Sequence, residues 1–292
     1  MDSPRPLKRR RVSNPNLTTH PAAAPTANSP PPDPQNDPLL THATHVLATE
    51  AAALAHITNL YLTSPPARTS LRAAVHCILT SQRAGGRLIA CGVGKSAYIA
   101  QKLTATCKSL GIAAGFLHAC EAVHGDLGDI RGERDVLLFV SFSGRTPELM
   151  GLLPHVPQGT RVIALTGHTE AGECGLLAGR TQEEGGEGSG RSSGILLPAP
   201  VLEREAVSFG VAAPTTSTTV ALAVADMLAL TVAGEMHGNR MGEVFKRNHP
   251  GGAIGVEGRE TTRKQRRRKR KGGEEGVVPE LPTPCVSASD DG

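Results

Sequence analysis

Apolar residues fall along this chain in two rhythms. Short, nearly unbroken apolar runs recur at Leu88–Cys91, Ala113–Leu117, Asp135–Val140, Arg161–Leu165 and Gly194–Leu197. Runs of that length without alternation suit strands buried on both faces, as in a parallel sheet. Between and around them the apolar positions take helical spacing. Ala97–Leu110 is closed by Gly111, Pro147 opens a segment to about Leu153, and Pro214 starts a long helix to about Glu235. Ahead of the first strand, Leu39–Thr63 carries Val46, Ala53, Leu54, Ile57 and Leu60 broadly on one stripe and is ended by Pro65 and Pro66. Ser70–Ser81 follows with Leu71, Val75, Ile78 and Leu79. Strand–helix alternation at this spacing predicts an α/β fold, a doubly wound five-stranded parallel sheet with helices on both faces. Ligands of such sheets sit at the carboxyl ends of the strands. The two leading helices are expected to pack on the sheet or on another subunit.

Composition changes the picture at the ends and at one internal point. Residues 1–38 are rich in Pro, Ala and Asn, residues 169–193 in Gly, Glu and Ser, and residues 257–292 are polar and basic. These stretches predict disordered tails around a domain at 39–256, with 169–193 as a flexible insertion. Aromatics are 2% and Trp is absent, so the core must be built from aliphatic and small side chains. Thr41 to Val256 holds 17 basic and 17 acidic residues, so the net charge of +4 belongs to the tails. Two basic clusters, at residues 6–12 and 263–271, read as nuclear-import signals or solvated charge runs. A neutral core with few aromatics offers no base-reading surface, so a nucleic-acid partner is not expected. The six cysteines at 77, 91, 107, 120, 174 and 285 lack metal or disulfide spacing, and the N-terminus is polar and basic without a secretory leader. A reducing, cytoplasmic or nuclear setting is the expectation. The longest apolar stretch, Thr219–Val232, is short for a membrane span and carries Asp226, which predicts a buried helix and no membrane.

Three loops at predicted strand ends or helix starts are rich in glycine and small hydroxyls: GVGKS (92–96), SFSGRTPE (141–148) and PTTSTT (214–219). GVGKS is not a Walker loop, since Ile89 stands where that motif needs its first glycine. A single such loop is usually a helix cap. Three in one sheet describe a cradle of hydroxyls and helix-start amides for a phosphate. No set of histidines shows ligand spacing, and neither a metal nor another cofactor is expected.

The segments GVGKSAYIAQKL (92–103), EAVHGDLGDI (121–130), DVLLFVSFSGRTPEL (135–149), REA (204–206), APTTSTT (213–219) and NHPGGAIG (248–255) resemble the SIS (sugar isomerase) domain. Within it they resemble the arabinose-5-phosphate isomerases of the KpsF/KdsD/GutQ type, to which HGDLG and NHPGG are specific. The resemblance implies a SIS fold, an oligomer (dimer or tetramer) with sites at subunit contacts, and a sugar-phosphate substrate. It implies interconversion of an aldose and a ketose 5-phosphate through an enediol. Lys95, His124, Glu148, Glu205 and His249 match the family's active-site positions. Glu205, with a moderately raised pKa, is expected to carry the proton between neighbouring carbons. His249 suits opening of a cyclic sugar, Lys95 the oxyanion of the intermediate, and His124 and Glu148 the orienting of hydroxyls. Gly94, Ser96, Ser141, Ser143, Gly144, Thr146, Thr215 and Thr216 are expected to bind the phosphate.

The chain departs from that pattern in three places. Arg145 stands where the family usually has Glu, REAVSFG (204–210) replaces KEACPLG, and the 169–193 insertion has no counterpart. The residues after Val256 are too few for the CBS modules of many relatives, so regulation through such modules is not expected. The Arg145 exchange and the altered loop leave a second reading open, a regulatory SIS module that binds a sugar phosphate without turning it over.

Overall fold

The computed structural model describes residues 37–182 and 193–251. Residues 1–36 and 257–292 of the expected tails, both basic clusters and residues 183–192 of the insertion lie outside the described residues. The chain divides into two units at Thr44/His45, and residues 38–44 of the first are helical. The sheet and everything packed on it belong to the second.

Helix α1 spans Pro38–Thr63 and α2 spans Pro65–Arg83. The two prolines between them begin α2 as well as ending α1. Proline lacks the N–H that the first helical turn cannot use, and Ser64 caps the new helix by accepting from the Ala67 amide. There follow β1 (Leu88–Gly92), α3 (Lys95–Ser109), β2 (Ala114–His118), the short α4 (Ala119–Ala122), β3 (Val136–Val140), α5 (Pro147–Leu152) and β4 (Arg161–Thr166). A two-residue β5 (Thr181–Gln182), β6 (Ser193–Pro198), the one-turn α6 (Glu205–Ser208), α7 (Thr216–His237) and α8 (Met241–Asn248) complete the order. Every pairing is parallel, in the order β2-β1-β3-β4-β6-β5. The five expected strands are all present, and β5 adds a short edge.

Residues 169–193 are not all insertion without structure. Residues 171–173 and 175–177 form 3-10 turns, Cys174, Leu176 and Leu177 are buried, and residues 181–182 pair with β6. Cys174, Leu176 and Leu177 join the second core and so anchor this part to the sheet.

Alternate strand residues feed two cores, as the period of two demands. Leu88, Ala90, Val136, Leu138, Ile163 and Leu165 face α2, α3 and α7. Ile89, Cys91, Leu137, Phe139, Val162 and Ala164 face α4, α5 and the 3-10 turns. Helix α7 passes through the first core with Val220, Val224, Leu228 and Val232 buried. It is long and apolar enough to cross a membrane by length and composition, and half of it is buried in this fold. Its Asp226 pairs with Lys102 of α3. Helix α8 carries only a short apolar stripe, Met241, Val244 and Phe245, of which Met241 and Phe245 pack against the first core. It is fixed by closing the end of α3, where Asn248 donates to the carbonyls of Lys108 and Ser109 and the His237 ring to that of Leu110. Those carbonyls are the ones a helix end leaves unpaired. Cys77, Cys91, Cys107 and Cys174 are buried and Cys120 is exposed. Burial pushes the thiols of Cys91 and Cys107 up to about 12.

At the opposite edge from the loops, Asp135 is 0% exposed. Its carboxylate accepts from the Arg87 amide (2.8 Å), the Arg131 amide (3.0 Å) and the Arg131 guanidinium (2.9 and 3.3 Å). Burial alone would raise its pKa, but these bonds and the Arg131 charge outweigh burial and hold it below the ordinary carboxylate range. A depressed folded-state pKa stabilises the fold above the unfolded value, and that contribution is lost as pH falls through the folded one. Asp135→Asn should therefore cost about 3 kcal/mol at pH 7. In urea unfolding the gap between variant and parent should narrow as pH drops below the ordinary carboxylate range; a gap of constant size would contradict this.

Candidate active site

The loops after β1, β3, β4 and β6 leave the sheet on one edge, because the strands are parallel. The chain leaves β1 toward the core of α2, α3 and α7, and leaves the adjacent β3 toward the other face. A crevice opens where neighbouring connections part in this way.

After β1 the chain turns at Gly94, whose φ of 59° and ψ of −130° place it where side chains are excluded. Lys95 is the first residue of α3 and is exposed, and Ser96 is half-buried behind it. After β3, the loop 141–146 is closed on itself. Ser141 and Thr146 share a hydroxyl–hydroxyl bond of 2.7 Å, the Gly144 amide donates to the Ser141 carbonyl, and Ser143 Oγ accepts from the Arg145 amide at 3.3 Å.

This loop is braced from outside by residues 168–176. The His168 ring sets Nε2 2.9 Å from the Ser143 carbonyl and Nδ1 3.2 Å from a Glu173 carboxylate oxygen. The Leu176 amide donates to the Gly144 carbonyl. The Arg145 guanidinium donates to the Glu173 carbonyl at 3.3 and 3.4 Å. Arg145 is thus engaged with the ordered part of the insertion.

Glu205 opens α6 and is 8% exposed. Its Oε1 accepts from the amides of Ser217 (3.0 Å) and Thr215 (3.3 Å), the start of α7. Burial raises its pKa, but the bonds from Ser217 and Thr215 outweigh burial, and the net shift is downward. The expected raised pKa is therefore wrong in sign. A helix start is electropositive and favours the anion, and the sequence did not reveal that Glu205 would cap α7. The segment behind it is tied to α1, where the His45 ring meets the Ser208 carbonyl at 3.0 Å and Phe209 edge-on.

Lys95, Ser96 and Glu205 meet in one cavity of about 350 Å³. Thr166, Ser217 and Thr218 add hydroxyls, and Val93, Ile99, Val140, Phe142, Leu165 and Ala221 give it apolar walls. Ser217, Thr218, Thr166 and Phe142 were not among the expected site residues. The first two lay inside the PTTSTT stretch, where residue type could not say which hydroxyls turn inward.

The remaining expected residues do not line this cavity. Gly94, Ser141, Ser143, Gly144 and Thr146 form the turns beside it. Thr215 gives its amide to Glu205, and the hydroxyl of buried Thr216 has no partner. His124 is exposed beyond α4, and Glu148 is exposed in the first turn of α5. His249 lies at the far end of α3, with Nε2 3.3 Å from Ser109 Oγ and Nδ1 2.8 Å from the Phe245 carbonyl. Lys95 is the first residue of that helix and Ser109 the last, so about 20 Å of helix separates them. One protomer does not bring His249 to Glu205. Among the described residues, no group of three His, Cys, Asp or Glu side chains could hold a metal ion.

No family model matches this chain. An uncharacterized protein of Helicobacter pylori is 34% identical over 214 residues, 73% of this chain and 57% of the relative. Arabinose 5-phosphate isomerase GutQ of Salmonella typhi is 37% identical over 172 residues, 59% of this chain and 47% of the relative. The chain spans about half the length of these curated relatives. Among solved structures, an Escherichia coli CFT073 protein in complex with arabinose 5-phosphate superposes with a TM-score of 0.56 at 29% identity, covering 73% of this chain and 97% of that one. The sheet order, the cavity at its carboxyl edge and these similarities agree: the chain has the SIS (sugar isomerase) fold and is similar over it to arabinose 5-phosphate isomerases of the GutQ type.

Proposed function

We propose that this chain is an aldose–ketose isomerase acting on a sugar phosphate of the arabinose 5-phosphate/ribulose 5-phosphate type. The observation that carries the reading is the pairing of Lys95 and Glu205 across one cavity, at the starts of α3 and α7. Helix starts favour anions, and two of them suit a doubly negative ester and a developing oxyanion. Ser96 and the turns at Gly94 and 141–146 take the phosphate. Lys95 stabilises the negative oxygen of the enediolate. Glu205 takes a proton from the carbon beside the carbonyl and returns it to the neighbouring carbon, while carbonyl and hydroxyl exchange places. Its lowered pKa keeps it ionised at neutral pH, the form that removes a proton. His249 opens the cyclic sugar from a second copy of the chain, since its own α3 holds it away from the cavity. His124 and Glu148 orient hydroxyls.

Glu205→Gln keeps an oxygen acceptor for the α7 amides and removes the base. It should lower kcat with ribulose 5-phosphate by a factor of about 100 to 10,000 and abolish deuterium uptake from heavy water, with Tm little changed. Glu205→Ala also loses the cap and should cost about 1 kcal/mol in addition. A Glu205→Gln enzyme that exchanges deuterium at the parental rate would assign Glu205 to capping alone. If the parent binds ribulose 5-phosphate and never exchanges it, the chain is a sugar-phosphate-binding regulatory module.

With arabinose 5-phosphate, the member of the pair that forms a ring, His249→Ala and Glu205→Gln should each lose most of their turnover alone. Mixed under conditions that allow subunit exchange, they should regain measurable turnover, because one hybrid site carries both native residues. Absence of recovery in a mixture shown to exchange subunits would remove the two-copy site.

A further inference from the structure

Phe142 is a large apolar side chain in the middle of the hydroxyl-rich SFSG loop, and it is 40% exposed. It is not loose. Its carbonyl accepts from the Gly167 amide (2.9 Å) and the Thr166 hydroxyl (3.0 Å), which fixes its backbone to the end of β4. Its ring packs against Gly167: a Cβ added there would stand 2.5 to 2.8 Å from three ring carbons. That space exists only because position 167 is glycine. Phe142 also lines the cavity, together with the apolar Ile99, Val140 and Leu165. The polar lining comes from Lys95 and Ser96 of α3, Ser217 of α7, and Glu205, whose carboxylate accepts from the Ser217 amide.

We infer that Phe142, seated on Gly167, is the specificity-determining wall of this site and limits the carbon chain of the phosphorylated sugar it accepts. The inference rests on the sugar-phosphate reading above. A phosphate end and a reacting end held by fixed polar groups leave only the intervening and trailing carbons to vary. An aromatic ring held rigidly at the wall excludes added carbons and offers an apolar face to C–H groups. One carbon more or less in such a pocket is discriminated by about 10- to 200-fold.

The test measures kcat/KM for ribulose 5-phosphate, fructose 6-phosphate and sedoheptulose 7-phosphate with the full chain. Phe142→Ala should raise the six- and seven-carbon values relative to the five-carbon value by about tenfold or more. Gly167→Ala, which pushes the ring off its seat toward the cavity, should lower the five-carbon value. In the Phe142→Ala background the same Gly167→Ala change should be nearly silent, because its effect passes through the ring. Equal penalties for Gly167→Ala in both backgrounds, or an unchanged chain-length ratio in a Phe142→Ala protein of parental Tm, would overturn the assignment. Should Phe142→Ala fail to fold, Phe142→Leu carries the same expectation at smaller amplitude. A parent that neither binds nor turns over any of the three sugars would overturn the sugar-phosphate reading itself, a result distinct from failure of the wall.

Discussion

Parallel strands cannot be joined by tight turns, so every connection in this sheet must travel back across one of its faces. That requirement buries both faces, and it delivers the ends of β1, β3, β4 and β6 to a single edge. The two cores follow from it: Leu88 and Ala90 serve one, Ile89 and Cys91 the other, on the same strand. The cavity follows too. Glycine-bearing turns and helix starts crowd the loop edge because the topology leaves them nowhere else. The buried Asp135 at the opposite edge ties Arg87 and Arg131 to the beginnings of β1 and β3, so the loop edge is free of that structural ion cluster.

The strands were legible because burial on both faces forces unbroken apolar runs, and Val136–Val140 is the clearest case. The switch from α1 to α2 was half legible. Two prolines announce a break, but that they also start a helix depends on Ser64 taking its cap. Helix α8 was not legible, since its apolar stripe of Met241, Val244 and Phe245 is too short to announce a helix, and its place is also set by Asn248 at the open end of α3. At the candidate site, Lys95, Ser96 and Glu205 could be picked from motifs, and the fold gathers them. What motifs could not give was direction. Arg145 reads as a cation beside a phosphate loop, and its guanidinium reaches the Glu173 carbonyl instead. His249 reads as a partner of Glu205, and α3 holds it a helix-length away.

Glu205 shows why charge state is hard to read from a sequence. A carboxylate near apolar residues is expected to hold its proton more tightly. Here burial acts in that direction and is overcome by the amides of Ser217 and Thr215. On the proposed function, the same electropositive helix start serves a resident anion and an incoming one. With Lys95 and Glu205 as the charged members of the cavity wall, attraction for a dianion must come largely from oriented peptide groups rather than from a surplus of cations.

The cysteines form a graded set of reporters. Cys77 lies in α2, Cys91 in β1, Cys107 in α3 and Cys174 in the segment that braces the SFSG loop, all shielded, while Cys120 faces solvent. A shielded thiol with its proton held tightly meets alkylating reagents only when its surroundings open. Cys174 therefore keeps time for the brace alone, and Cys91 for the sheet. The order in which they become reactive is a clock for which layer of the protein loosens first.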